Sequence, residues 1–596
     1  MTSGRVEGGP MAGVDQFTAA MVLAAAGIAT LATTTTGIAT FLAGHGWRTA
    51  PPAVALSAVA RWPKHVTDPA GAYPTAWQIV LPGAVGMWLA LLLSTLALTA
   101  AGSLAWRAAR PLRGAGSTAT SHAGAGLASR HDLRTHLSAR AVRARTPHTR
   151  PTLGASKRYE TREVGLALGR DLRSKQQLWG SVEDSYLVLG PPRSGKGVHL
   201  VIPHALDAPG ALLVTSTRPD TLHATRHLRS TRGPVLAFDP QQLAPQAPRL
   251  RWSPTRGCQD PLIAINRARA LSAGASLTKG TTSDGEYWQQ MTAAVLRGYL
   301  HAAALTGRPV TEVLSWASRP GDPTPVRILR GESAAAPGWA EELAAQAGAD
   351  PWQRDSVWSG VRRAVDSLAD PRVLDTCTPE AGEAFDPAGF LRDNGTLYLL
   401  GTTGAQLSVA PLITALLEDL LDTARTLAAA APHGRLDPSL LLLLDEAANI
   451  APIPSLPNLL ADGGGAGITT VAVLQSLAQA RARWGDAGAD AMWDASTTKI
   501  VLGGLAHADD LQRISRLAGD IDLPHVTHSR GSGGPSRSTT TRRLPALPLE
   551  RIRCLPAGQA LVLARRCPPV EVRLTPWWQH PSQPLPRDRA QGGSST

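Results

Sequence analysis

The stretch that most constrains this chain is Gly190-Pro191-Pro192-Arg193-Ser194-Gly195-Lys196-Gly197. Its G-x-x-x-x-G-K spacing is that of a phosphate-binding P-loop. Tyr186 to Leu189, just ahead, reads as a short buried strand, and Val198 to Ile202, just behind, can open a helix. A strand–loop–helix unit aims successive backbone N–H groups and a helix N-terminus at one anion, while Lys196 reaches its outer phosphates. A glycine-rich turn with a surface lysine has the same composition, so the reading needs a second half elsewhere in the chain. One position is off-pattern. Gly197 stands where most P-loops place Ser or Thr to bind Mg2+, so a metal there needs Ser194, water or another ligand.

The second half is Leu440-Leu441-Leu442-Leu443-Leu444 followed by Asp445-Glu446. Five leucines predict a strand buried on both faces, with its first polar residue at the C-terminal edge. In a parallel sheet that edge is where ligands bind. Asp445 is placed to hold Mg2+, and Glu446 to orient or deprotonate an attacking water. Gln475 ends the next apolar run, Val471 to Leu474, and is a candidate contact to a terminal phosphate; a plain helix N-terminal residue reads equally well there.

A chain of 596 residues exceeds one core and implies several domains. The net charge of +13 invites a nucleic-acid reading, but its distribution argues otherwise. From Arg107 to Arg158 there are eleven basic residues and one acid, Asp132, directly after an apolar run. Anionic lipid and the positive-inside rule account for that block without DNA. The four cysteines (Cys258, Cys377, Cys554, Cys567) have no C-x-x-C spacing and read as free thiols; no clustered Cys/His metal signature is present.

Phe17 to Gly44 and Ala76 to Trp106 carry no charged residue. Each is long enough to span a bilayer, and a cleaved signal peptide is disfavoured because no short basic region leads into the first run. The expected organisation is a membrane domain at 1–106 (spans about 17–44 and 79–102, external loop 45–75), then a basic juxtamembrane linker at 107–160. An α/β nucleotide-binding domain follows at 161–260, an all-helical insertion at 261–379, the second part of the α/β domain at 380–580, and a disordered tail at 581–596. Both termini then lie in the cytoplasm. Residues 525–545, rich in Ser, Thr, Gly and Arg, read as a mobile loop. Arg481, Arg483, Arg513 and Arg516 are candidates for a cation that a neighbouring subunit offers to the transferring phosphoryl group. Tyr287 and Trp288, beside Glu286, suit base stacking, although core packing is the more ordinary role.

Taken together these motifs resemble the TraG/TraD-like coupling proteins of type IV secretion and conjugation, particularly actinobacterial members. The resemblance covers nearly the whole chain. Gly190 to Gly197 looks like the family's G-P-x-R-S-G-K-G loop, in which Gly after the lysine is usual. Leu444-Asp445-Glu446-Ala447-Ala448-Asn449 is similar to its D-E-x-x-N motif, Leu474-Gln475-Ser476-Leu477-Ala478-Gln479 to its L-Q-S-L-x-Q element, and Lys499 to Gly504 to its K-[IV]-x-L-G-G strand. The resemblance implies an α/β, RecA-like P-loop NTPase domain with an all-α insertion domain and two N-terminal transmembrane helices. It further implies a homo-hexamer at the inner membrane that uses ATP and Mg2+ to pass relaxase-bound DNA, single-stranded by expectation, to the secretion channel. In one place the sequence departs from the pattern. Many members carry a basic residue in the turn before the L-Q-S strand, whereas here that turn is Asp462-Gly463-Gly464-Gly465-Ala466-Gly467.

Two other classes stay open at this stage. One is a nucleotide-switched membrane receptor or adaptor for secreted protein cargo. The other is a septal-type double-stranded DNA pump, which shares the fold, though the large helical insertion and two spans speak against it.

Overall fold

The computed structural model describes residues 11–113, 126–154, 158–275, 283–380, 382–401, 406–531 and 534–582. They fall into two compact units, residues 1–124 and 125–596.

The N-terminal unit is built on two helices, Met11–Leu42 and Ala84–Arg113. Threonine is tolerated in the first because its hydroxyl bonds back to a carbonyl one turn earlier, as Thr33 does to Ala29 and Thr35 to Leu31. The loop that follows returns onto this helix: the backbone N–H groups of Arg48 and Ala50 donate to Thr40 Oγ1 and Thr36 Oγ1, both at 3.0 Å. Gly37 lies where a Cβ would crowd the Trp47 indole. Among the described residues one helix is long and apolar enough to cross a membrane, through Ala84–Ala101 with mean hydropathy 1.9. Ala26–Leu42 is a shorter apolar segment. The second helix starts at Ala84 rather than near 79, because Pro82-Gly83 interrupts the run.

The C-terminal unit is organised on an eleven-stranded sheet. Its strands are β1 (Gly165–Asp171), β2 (Gln177–Ser181), β3 (Tyr186–Leu189), β4 (Leu212–Ser216), β5 (Val235–Phe238), β6 (Thr396–Leu400), β7 (Leu440–Leu444), β8 (Ile468–Leu474) and β9 (Thr498–Leu502). A separate hairpin, β10 (Asp520–Gly531) with β11 (Gly534–Pro545), precedes the last two, β12 (Gln559–Ala564) and β13 (Cys567–Arg573). The order is β2-β1-β13-β12-β9-β3-β8-β7-β4-β6-β5. The strands from β9 to β5 are parallel, and β12, β13, β1 and β2 extend the sheet antiparallel from β9. The parallel sheet expected from sequence is thus the central part of a mixed one. Its strands are short and apolar because helices cover both faces. The leucine strand shows this directly: Leu440, Leu442 and Leu444 enter one hydrophobic cluster and Leu441 and Leu443 the other.

Between β5 and β6 the described residues form helices and no strand, from Pro261–Ala275 to Pro371–Thr376. This insertion does not stand apart, for its Leu271, Val295, Trp316 and Trp358 belong to the same cluster as Leu187, Leu442 and Leu474 of the sheet.

Two stretches differ from expectation. Residues 126–154, read as linker, fold into short helices against the sheet: Leu133, Leu137 and Val142 are buried, and Arg150 pairs with Asp437 at 2.5 Å. The basic composition hid three apolar anchors. Of residues 525–545, read as a mobile loop, 525–531 and 534–545 lie in the antiparallel ribbon β10–β11, which pairs from Asp520↔Pro545 to Gly531↔Gly534. The Ser/Thr/Arg pattern has no apolar face to betray the strands. The expected tail lies, from residue 583 onward, outside the described residues, while His580 just before it is buried and meets Asp207 at 2.9 Å.

Candidate nucleotide site

β3 delivers the P-loop, β7 the acidic pair, and β8 runs between them. Because all three strands are parallel, Gly190, Gln475 and Asp445 emerge at one sheet edge. The loop is pinned to that edge by Gly190 N–H donating to the Leu474 carbonyl at 3.0 Å. Gly190 must be glycine, since a Cβ there would stand 2.8 Å from both Leu502 Cδ1 and Ser194 Oγ. Arg193 and Gly195 take left-handed backbone, with φ of 62° and 87°, which curls the loop. The helix behind it begins with a π-turn over Gly197–Val201.

Lys196 Nζ donates to the carbonyl oxygens of Gly190 and Pro191, at 2.8 and 2.9 Å. Desolvation lowers its pKa, opposed by the charges of Asp445 and Glu446. Asp445 shows the converse. Desolvation pushes its carboxyl up to about 6, although Lys196 pulls it down. Its backbone carbonyl is held by Thr215 Oγ1 at 2.7 Å, yet its Oδ1 is buried with no hydrogen-bond partner. Ser194 Oγ is buried and orphaned as well. Buried acceptors without partners cost free energy, and a hard cation with its phosphate and water ligands would satisfy them. Asp445 and Ser194 therefore fit Mg2+. Gly197 offers no ligand, but a Cβ there would have nothing within 4 Å, so the missing hydroxyl is not a steric necessity.

Glu446 adopts φ 51°, a left-handed conformation rare outside glycine, and turns the chain into the short helix Ala447–Ile450. Asn449 grips it twice: its N–H donates to the Glu446 carbonyl at 2.8 Å and its Nδ2 to Glu446 Oε2 at 3.4 Å. Asn449 was visible in the motif but carried no role from sequence. Thr215 had no signal at all, being one hydroxyl in an apolar strand. Gln475 sits at the tip of β8, where its N–H donates to Gln479 Oε1 at 3.1 Å. The cap of the following helix is Ser476, whose Oγ accepts from Gln479 N–H at 3.3 Å.

The arginine candidates separate. Arg483 faces the Ala273 and Gly274 carbonyls, and burial lowers its pKa to about 10; it ties the insertion to helix Leu477–Ala495. Arg481 pairs with buried Asp510, and Arg513 with Asp490 while lying over Trp493. Arg516 is exposed, and no acidic partner is found for it among the described residues. The glycine turn before β8 is packed shut, since a Cβ at Gly464 would collide with the Glu183 carbonyl.

Two family models match the sequence that carries this site. Residues 150–265 match the model described as type IV secretory system conjugative DNA transfer, and residues 439–557 the TraM recognition site of TraD and TraG. The chain is a coupling protein of the TraG/TraD type. The first matched segment contains the P-loop and the second the acidic pair, Gln475 and the β10–β11 hairpin. Among solved structures, plasmid coupling protein TrwB in complex with a non-hydrolysable ATP analogue is 20% identical. That match covers 66% of this chain and 86% of TrwB, with TM-score 0.50. The TrwB complex with ADP and Mg2+ is 21% identical over 66% and 85%, TM-score 0.48. VirB4 of Thermoanaerobacter pseudethanolicus is 15% identical over 69% and 96%, TM-score 0.39. No curated protein sequence matches. At these identities the structural likeness concerns the α/β fold, and the family membership rests on the two sequence models.

Proposed function

We propose that this coupling protein is an ATPase, anchored in the cytoplasmic membrane, that takes relaxase-bound DNA and moves it to a type IV secretion channel. One observation carries the catalytic half: the P-loop, Gln475 and Asp445-Glu446 emerge from three neighbouring parallel strands, with orphaned polar atoms where Mg2+ would sit. Bound Mg-ATP would supply the transferable phosphoryl group. The backbone of Gly190–Gly197 would cradle the phosphates, Lys196 would neutralise the outer ones, Asp445 and Ser194 would hold the metal, and Glu446 would accept the proton of the attacking water. Gln475 reads the occupancy of the outer phosphate position.

Anchoring rests on the apolar helix through Ala84–Ala101, with helix Met11–Leu42 as the partner that would make a two-span anchor with both termini in the cytoplasm. The model matched by residues 150–265 is described as type IV secretory system conjugative DNA transfer, which supports DNA as the cargo and the relaxosome and channel as the partners here. A homo-hexameric ring completes the reading, with exposed Arg516, which has no acidic partner among the described residues, as the cation it would offer to a neighbour's site.

The test is conjugative transfer by Lys196→Ala and Glu446→Gln variants that still reach the membrane. Loss of transfer in both is expected, and wild-type frequency in either would overturn the ATP-driven reading. Undiminished protein export by Glu446→Gln would favour an adaptor instead.

A further inference from the structure

Two helices of the insertion, Ser283–Leu305 and Pro351–Val365, cross where Gly360 faces Thr292, and a Cβ at Gly360 would collide with the threonine hydroxyl. Around this crossing lies a cavity of about 720 Å3. One wall is Trp352, Asp355, Ser356, Ser359 and Arg363. That i, i+3, i+4, i+7, i+11 spacing puts all five on one helix face. Trp288 and Gln289 form the wall opposite. A helix face turned toward a neighbouring helix is ordinarily apolar. Here it carries two hydroxyls, the Asp355 carboxylate and a guanidinium, and the Gln289 amide faces it, so the space between the helices is a pocket rather than core.

Aromatic rings frame it. Trp288 and Trp352 meet edge to face at 5.7 Å, and Tyr287 stands edge-on to Trp288 at 5.2 Å. Trp352 is 72% exposed and Tyr287 45%. Core packing, the ordinary role for such residues, accounts for Trp288, which packs against the main hydrophobic cluster, but not for Trp352 and Tyr287. Arg363 donates to Ser359 Oγ at 2.8 Å and has no carboxylate partner among the described residues, whereas Asp355 is paired with Arg354.

We infer that this pocket takes a base of single-stranded nucleic acid, stacked on Trp352, with the adjoining phosphate on Arg363. Every base offers a π-face, and hydroxyl and amide groups both donate and accept, so Gln289, Ser356 and Ser359 suit base edges without sequence preference. The volume lies within the range of pockets that enclose small organic groups. Ser356 already donates to the Trp352 carbonyl and Ser359 accepts from Arg363, so it is their remaining lone pairs and the Gln289 amide that an apolar peptide side chain would leave unmatched. The inference rests on DNA as the cargo and adds a contact site far from the P-loop in sequence.

The experiment is binding of a fluorescein-labelled oligo(dT) 20-mer to full-length protein in nanodiscs, followed by anisotropy without nucleotide. Trp352→Ala should weaken binding about tenfold, within the usual range for one stacked base. Trp352→Phe should retain most affinity, and Arg363→Gln should reduce the salt dependence by about one phosphate contact. ATP binding should be unchanged in all three. Equal affinity in wild type and variants overturns the pocket. Loss of a relaxase contact with oligo(dT) binding intact assigns it to a protein partner and overturns it too. Failure of the wild type to bind oligo(dT) overturns the DNA reading itself, and the pocket with it.

Discussion

The ammonium of Lys196 folds back on the start of its own loop, 2.8 Å from the Gly190 carbonyl oxygen. A second carbonyl, of Pro191, accepts at 2.9 Å. The loop thus stores its cation on backbone acceptors that a phosphate can replace. Lys196→Ala removes two charge-assisted hydrogen bonds from a half-buried group, so it should cost about 1–2 kcal/mol of stability. It should lower ATP turnover by roughly a hundredfold or more, because the outer phosphates lose their counter-charge. Thermal midpoint and steady-state turnover measured on one preparation separate the two effects, and turnover within twofold of wild type would contradict the assigned role.

Asp445 makes the site sensitive to pH. Its folded pKa of about 6 lies above the ordinary value of 3.8, because burial outweighs the pull of Lys196. The folded state then holds a proton the unfolded state has lost, so stability falls as pH rises from about 4 to about 6 and the full penalty persists at neutral pH. Two pKa units correspond to about 3 kcal/mol. Asp445→Asn should therefore stabilise the nucleotide-free protein at pH 7 by up to that amount, with the gain gone near pH 4. A carboxyl group must lose its proton to bind metal. Mg2+ affinity of the wild type should fall about tenfold per unit below pH 6. Equal pH dependence of melting in the two proteins would refute the assignment.

Gly197 and Gly195 are adjacent to the same lysine but differ in what they permit. No heavy atom lies within 4 Å of a Cβ built at Gly197, whereas at Gly195 it would meet the His199 ring at 2.8 Å from backbone with φ 87°. Gly197→Ser should fold, and its hydroxyl should lower the Mg2+ concentration needed for half-maximal turnover. Gly195→Ala should lose nucleotide binding, since both strain and collision oppose it. A Mg2+ titration of turnover for both variants decides; an unchanged Mg2+ requirement in Gly197→Ser would place the metal elsewhere.

Much of the site was legible because its signals are local. Lys196 is fixed by loop spacing, and Asp445 by five leucines that can only be a strand buried on both faces. The span from β3 to β9 followed from the same logic. What sequence could not show depends on partners distant in the chain. Leu133 and Leu137, which join the cluster under the sheet, and Val142, buried beside Gly165, look like stray apolar residues in a basic segment until the sheet edge is in place. The ribbon β10–β11 pairs backbone to backbone without a hydrophobic stripe, so its period of two is silent in the side chains. Arg483 reads like Arg516 in sequence, yet one is sealed against the Ala273 and Gly274 carbonyls and the other is open to solvent.

Asn449 provides the last test, because it touches Glu446 and nothing else identified in the site. Its Nδ2 lies 3.4 Å from Glu446 Oε2, while its backbone N–H holds the Glu446 carbonyl at 2.8 Å. The backbone contact survives any substitution that keeps the short helix, so Asn449→Ala removes only the side-chain donor. Glu446, already in left-handed backbone, then loses the one side-chain hydrogen bond its carboxylate makes among the described residues. In the proposed role that carboxylate acts on water and not on the nucleotide, so kcat should fall about tenfold with KM unchanged. Asn449→Asp should be worse, because a second carboxylate at this distance repels the first. Steady-state kinetics on the three proteins give the answer. A rise in KM with kcat preserved would move Asn449 from orienting Glu446 to binding nucleotide.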